Sequence, residues 1–294
     1  MKRNSKGKLI SLIAVVCVFL IGGTIAYFSD QETKVNTLTM GKFNSDLHEE
    51  FDPPSDWKPG VEVEKKVRVD NTGTVDMIVA ARFDESCVRR EDVYLKRYNN
   101  ETKELEDILV ANAGEKLPVI FDIQQQDGQI VSYQEVAVKN FGADVTEYIE
   151  GSDPSAYEGK WVYTYDVKNG VYYFLYMGIV EAGKSSPQLL DSVTMNSRLE
   201  NVVSNTEQVY WYDEETGENK QSFTYQNSEY GYDAVDYKLD ITAKTLQASG
   251  KAIQSEWSTD TGIIPDNFKE LLTQDVYKRQ GWWLRSRGRQ MPGR

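Results

Sequence analysis

The chain has 294 residues, with 33 Lys+Arg against 46 Asp+Glu, one histidine, two cysteines and 12% aromatic residues. Its formal net charge of -13 disfavours nucleic acid and anionic membrane as partners. A single histidine excludes a two-histidine zinc helix and any Ser-His-Asp arrangement with a choice of bases.

The chain starts with four cationic residues, Lys2, Arg3, Lys6 and Lys8, ahead of an apolar run from Leu9 to Ile21 that only Ser11 interrupts. That run is shorter than the roughly 20 residues a helix needs to cross a bilayer. Thr24-Ile25-Ala26 then places small residues where a signal peptidase accepts them. Residues 1–26 are therefore expected to be a cleaved signal peptide, with Thr24 and Ala26 at the cut and Tyr27 opening the mature chain. The alternative is an uncleaved anchor, with Gly22 and Gly23 extending the run. Signal removal leaves Cys87 as the lone thiol, which permits no intramolecular disulfide.

The body, residues 27–274, carries the periodicity of strands. In KPGVEVEKKVRVDNTGTVDMIVAARFD the apolar residues alternate through Val61, Val63, Val67 and Val69, break at Asn71-Thr72-Gly73, and resume at Val75, Met77 and Val79. This predicts two antiparallel strands joined by a turn. Further strands are expected at Leu117 to Gln126, Ile130 to Val138, Gln208 to Tyr212 and Tyr237 to Leu246. Asn169-Gly170, between two aromatic and β-branched runs, is the strongest hairpin signal. Short helices or turns are expected at Leu105 to Ala113, Pro187 to Ser192 and Lys251 to Trp257. Residues 140–159 and 213–232 read as polar loop insertions. Together these predict a mainly β fold: an antiparallel β-sandwich, jelly-roll or Ig-like, with short helices and long insertions.

The last residues differ from the body. Asp275 to Arg294 is basic where the rest is acidic, and DVYKRQ is similar to the translation of a transposon end used in sequencing libraries. Residues 275–294 are accordingly expected to be a chimeric tail and are left out of the fold. The functional alternative is a basic, Trp-bearing segment that grips nucleic acid or an anionic polymer.

The stretch GGTIAYFSD, followed by T-x-x-x-N-T-L-T-M-G, resembles the signal and early mature segment of the TasA/camelysin family. KPGVEVEKKVRVDNTGTVDMIVAARF, YYFLYMGIVEAGKSSPQLLDSVTMNS and DYKLDITAKTLQA are similar to later parts of that family's sandwich, with the BsaA group of biofilm matrix proteins nearest. The resemblance implies a Gram-positive protein secreted to the extracellular matrix or cell surface. It also implies processing by a SipW-type signal peptidase and assembly into, or onto, fibres with itself or a related matrix subunit. In fibre-forming relatives the freed N-terminal segment supplies a strand to a neighbour. Transferred here, Val35, Leu38, Met40 and Phe43 mark the candidate donor strand, and an ordinary first strand within its own domain is the competing reading.

Chemistry is sparse. His48, in DLHEEFD, reads as a solvated residue of an acidic linker, and Cys87 as a small buried residue. There is no P-loop, dinucleotide fingerprint or EF-hand loop. No enzyme activity, cofactor or metal is expected, although camelysin relatives carry a peptidase label. A monomeric adhesin binding extracellular polysaccharide through Tyr163, Tyr165, Tyr172, Tyr173 and Tyr176 is the alternative function, and a surface protease the less favoured one.

Overall fold

In a computed structural model the described residues are 28–33, 44–52, 57–228, 231–248, 256–257 and 262–273. Strands are numbered in chain order. The larger sheet has seven: β1 (Phe28–Thr33), β17 (Val235–Gln247), β4 (Met77–Arg89), β13 (Val171–Tyr176), β12 (Trp161–Asp166) and β11 (Val145–Glu147) lie side by side in that order, and β7 (Lys116–Leu117) adds to β4. A four-stranded sheet faces it, in the order β10 (Ala137–Phe141), β14 (Leu190–Met195), β3 (Glu62–Asn71) and β2 (Ser45–Phe51). All pairings in both sheets are antiparallel except β1 with β17 and β11 with β12, the outermost pairs of the larger sheet.

Side-chain alternation fills the space between the sheets. Met77, Val79, Ala81 and Phe83 of β4 point inward and meet Val67 and Val69 of β3, Leu190 and Val193 of β14, and Ile241 of β17. Each fully buried aliphatic or aromatic side chain of this kind contributes about 1.5–3 kcal/mol. Phe174 sits at the centre of an aromatic cluster, with Phe83 at 4.6 Å, Phe141 at 5.4 Å and Tyr172 at 5.9 Å between ring centres.

The outer face of the larger sheet is also covered. Ile78, Ala80, Val162, Leu175 and Met177 pack under Trp257, Ile263 and Ile264, and under Phe268, Leu271 and Leu272 of helix α1 (Asp266–Thr273). Burial on both faces explains why β4 begins as the unbroken apolar run MIVAA, where a half-exposed strand would alternate. Helix α1 was not among the expected helices, and residues 251–255 of the one expected near the end lie outside the described residues.

Several expectations need correction. β3 and β4 are not a hairpin: they belong to opposite sheets, and the Asn71-Thr72-Gly73 break is a crossing between them. Asn71 holds that crossing, its amide donating to the carbonyls of Val75 and Val180 and its side-chain oxygen accepting from the Gly73 N–H. Leu105 to Ala113 is a strand, β6 (Leu105–Ala111), paired with β5 (Val93–Tyr98), and Pro187 to Ser192 runs into β14. The expected strand at 117–126 is split into β7 and β8 (Ile120–Gln126), and that at 130–138 into β9 (Gln129–Glu135) and β10. Insertion 213–232 holds all of β16 (Glu218–Asn227), which pairs with β15 (Val203–Asp213) in a two-stranded ribbon. The Asn169-Gly170 hairpin does form between β12 and β13, with Gly170 at φ +66 and its N–H bonded to the Asp166 carbonyl at 2.9 Å.

Candidate functional site

The N-terminal strand takes the edge of the larger sheet. β17 is bonded to β4 along all 13 residues, from Val235↔Arg89 to Gln247↔Met77. Its other side carries β1 in parallel, from Phe28↔Leu239 to Thr33↔Lys244. Six of the 13 β17 residues are thus covered there, by a segment of sequence FSDQET that bears two carboxylates and one aromatic ring. Thr24, Ala26 and Tyr27, and also Val35, Leu38, Met40 and Phe43, lie outside the described residues. β1 therefore takes the place of an ordinary first strand immediately after the expected cleavage point, and the four donor-strand residues follow it.

The tyrosines expected to bind glycan are mostly occupied elsewhere. Tyr172 is buried between the sheets, and Tyr163, Tyr165 and Tyr176 pack against the same core. Tyr173 lies on the opposite face against the α1 cluster and under the Arg82 guanidinium. Exposed aromatic surface is found instead on the β15–β16 ribbon, where Tyr210 is 68% and Tyr212 61% exposed. Cross-strand pairs on the Tyr210 face are Thr206↔Tyr225, Gln208↔Phe223, Tyr210↔Gln221 and Tyr212↔Asn219. None is charged, in a chain with 27% charged residues. The opposite face carries Trp211 with Glu207, Asp213, Glu218 and Lys220. Asn100, in the β5–β6 turn, steadies the ribbon by donating to the Gln221 carbonyl and accepting from its N–H. In sequence the 213–232 half of this ribbon reads as a loop, because its polar residues hide the alternation of Phe223 and Tyr225.

His48 is on β2 opposite Arg68 rather than in a linker. Its two ring nitrogens face carboxylates, Nε2 at 3.2 Å from Glu50 and Nδ1 at 3.9 Å from Asp70. Cys87 is buried, and burial, reinforced by the charge of Glu85, pushes its thiol up to about 12. Such a thiol is a packing residue, not a nucleophile at neutral pH.

A charged cluster lies between the sheets. The Lys139 ammonium of β10 is 2.7 Å from Glu85 Oε1 on β4 and 2.5 Å from Glu135 Oε2 at the end of β9. The side chains of Lys139 and Glu85 are fully buried. Tyr237 donates to the second Glu85 oxygen at 2.7 Å, Tyr172 donates to Glu135, and the Lys139 ammonium sits 4.9 Å from the centre of the Tyr172 ring. Burial raises the Glu85 carboxyl above its ordinary range, against the pull of Lys139.

The model of the camelysin metallo-endopeptidase family matches residues 5–127. Over that stretch the chain resembles that family. Comparison with curated proteins gave no match. The camelysin-like part ends just past β8, so it supplies β1 to β4 and β7, while β10 to β14 and β17 complete both sheets beyond it.

The family's name implies a metal, and the described side chains do not fit one. No group of three or more His, Cys, Asp or Glu residues among them is arranged to hold an ion, and both nitrogens of the single histidine already face carboxylates. Among the described residues no helix is long and apolar enough to cross a membrane.

Proposed function

We propose that this camelysin/TasA-like chain is a structural, non-enzymatic protein of the cell surface or biofilm matrix that assembles through the edge of its larger sheet after residues 1–26 are removed. The observation that carries this is the pairing of β1 with β17. A six-residue parallel strand on a 13-residue partner is a weak cover, because parallel ladders are slightly less stable per residue and half of the edge lies beyond it. Displacing β1 opens a row of N–H and C=O groups that accepts an equivalent strand from another copy or from a related subunit. The expected cleavage point after Ala26 lies one residue before β1, so cleavage leaves the strand that moves next to the new N-terminus.

Electron microscopy of the chain beginning at Tyr27, beside the chain retaining residues 1–26, tests the proposal. Fibres from the shortened chain alone support it, and monomers from both count against self-assembly. A sharper version joins β1 to its own sheet: Gln31→Cys with Thr242→Cys, at paired positions. When oxidised within one chain this variant should stay monomeric, and reduction should restore assembly. Leu38→Asp or Met40→Asp should likewise block fibres and leave a soluble monomer.

The β15–β16 ribbon favours a second reading, an adhesin for neutral polysaccharide. Exposed Tyr rings suit the C–H faces of sugars, Gln and Asn amides suit hydroxyls, and the absence of charge on the Tyr210 face removes the repulsion that an anionic polymer would meet elsewhere on the chain. Tyr210→Ala with Tyr212→Ala should abolish depletion of the protein by an insoluble neutral glucan, and undiminished depletion would discard this role for the ribbon.

A further inference from the structure

The buried cluster of Lys139, Glu85 and Glu135 has the components of a self-acylation centre. A primary amine touches one carboxyl group that has no route to water, and a second carboxyl group lies on the amine's other side. The three come from β10, β4 and the end of β9, and the amine and its fully buried partner belong to opposite sheets. Strand exchange at the sheet edge does not involve them. A plain ion pair would be an expensive way to join two sheets, since burying a carboxylate and an ammonium costs about as much as their attraction returns.

We propose that folding drives formation of an amide bond between Lys139 Nζ and Glu85 Cδ, covalently joining the two sheets. Glu135 takes a proton from the ammonium, and the freed amine attacks Cδ of the protonated Glu85 carboxyl group. The Tyr237 hydroxyl, which already donates to Glu85 Oε2 at 2.7 Å, stabilises the oxygen that gains negative charge. The tetrahedral adduct collapses as Glu135 returns its proton to the departing Glu85 oxygen and takes the second proton from the nitrogen, so that Glu135 ends as the neutral acid. One C–N bond forms, one C–O bond breaks, one water leaves, and no redox partner is needed.

Two features of the surroundings suit this step. The amine is held in contact with its target by the fold, which replaces a bimolecular encounter by a positioned one. Burial favours the protonated form of the Glu85 carboxyl relative to an exposed glutamate, and that form is the one that can lose water. The rings of Tyr172 and Tyr165 lie 4.9 and 5.9 Å from the ammonium and limit access of the water that would reverse the reaction. The product closes a loop across residues 54 apart in the chain, a constraint on the unfolded state like that of a disulfide, in a body with one cysteine.

Peptide mass spectrometry of the folded full chain, denatured and digested with trypsin, tests the bond. Residues 83–89 should be recovered joined to residues 117–160, uncut at Lys139 and lighter than the two peptides together by one water. Recovery of 83–89, 117–139 and 140–160 as separate peptides from folded protein would overturn the proposal, and this measurement needs no variant. Glu135→Gln, checked for folding by circular dichroism, should give the separate peptides. A cross-link that persists in that variant, or one that joins Lys139 to Glu135 and leaves 83–89 free, would overturn the roles assigned to the two carboxyl groups.

Discussion

The larger sheet and the β15–β16 ribbon are built from the same alternating pattern and end in opposite situations. β13, with sequence VYYFLY, is sealed between β14 and α1 and has four of its six residues buried. β15, which contains VYWY, has nine of its 11 residues exposed. The difference lies in what the rest of the chain brings to each face. Two apolar layers converge on β13, whereas the β5–β6 turn meets the ribbon through polar contacts such as those of Asn100 with Gln221 and Lys103 with Glu218. Aromatic alternation therefore identifies a strand without saying whether its rings hold the fold together or face a partner.

The largest test of this contrast is in the sealed sheet. Phe174→Ala removes a fully buried ring at the centre of the aromatic cluster and should cost about 3–5 kcal/mol in chemical denaturation. A small change would mean that the two sheets are not held by this core. On the outer face, Phe268→Ala should cost somewhat less, about 3 kcal/mol, because α1 has only eight residues and can settle onto the gap. In the ribbon the same chemistry should count for little: Tyr210→Ala with Tyr212→Ala should stay within about 0.5 kcal/mol of the parent in thermal or chemical unfolding. A loss as large as that of Phe174→Ala would show the ribbon to be packed against something in solution and would end the comparison.

Much of the fold was legible from sequence because strands announce themselves locally. Val67 and Val69, Met77 and Val79, and the Asn169-Gly170 turn each occupy the kind of position that alternation and turn chemistry indicate. Sheet membership was not legible. A break such as Asn71-Thr72-Gly73 looks alike whether the chain turns back on itself or crosses to the opposite sheet, and only the distant Val180 carbonyl and the β14 partner decide it. β6 was misread because Leu105, Glu106, Leu109 and Ala111 are good helix formers, and pairing with β5 outweighed that preference. The candidate sites were less legible still. β1 finds its partner across the whole length of the body, and Glu85, Lys139 and Glu135 look like ordinary surface charges until strands from both sheets and the end of β9 bring them together. The exposed Tyr residues were placed in the wrong strands, since alternation cannot tell which aromatic run lacks a covering layer.

The smallest effect expected concerns how the ribbon holds its shape without a core. Asp213 accepts hydrogen bonds from the N–H groups of Glu215 and Thr216 at 3.0 and 3.1 Å and pairs with Lys220 across the turn. The bond from Lys220 and those from the backbone lower its carboxyl from the ordinary 3.8 to about 2. A lowered carboxylate stabilises the folded turn above its unfolded value, and that contribution fades as pH falls through about 2. The Glu215 and Thr216 amide resonances should therefore keep their turn positions at pH 5 and move toward unstructured values between pH 4 and pH 2, while those of β4 and β13 remain. Asp213→Asn should weaken the turn at neutral pH and flatten this titration. If the acid shift survived in that variant, some other carboxylate would be holding the ribbon's turn, and the ribbon would depend on more than its own local hydrogen bonds.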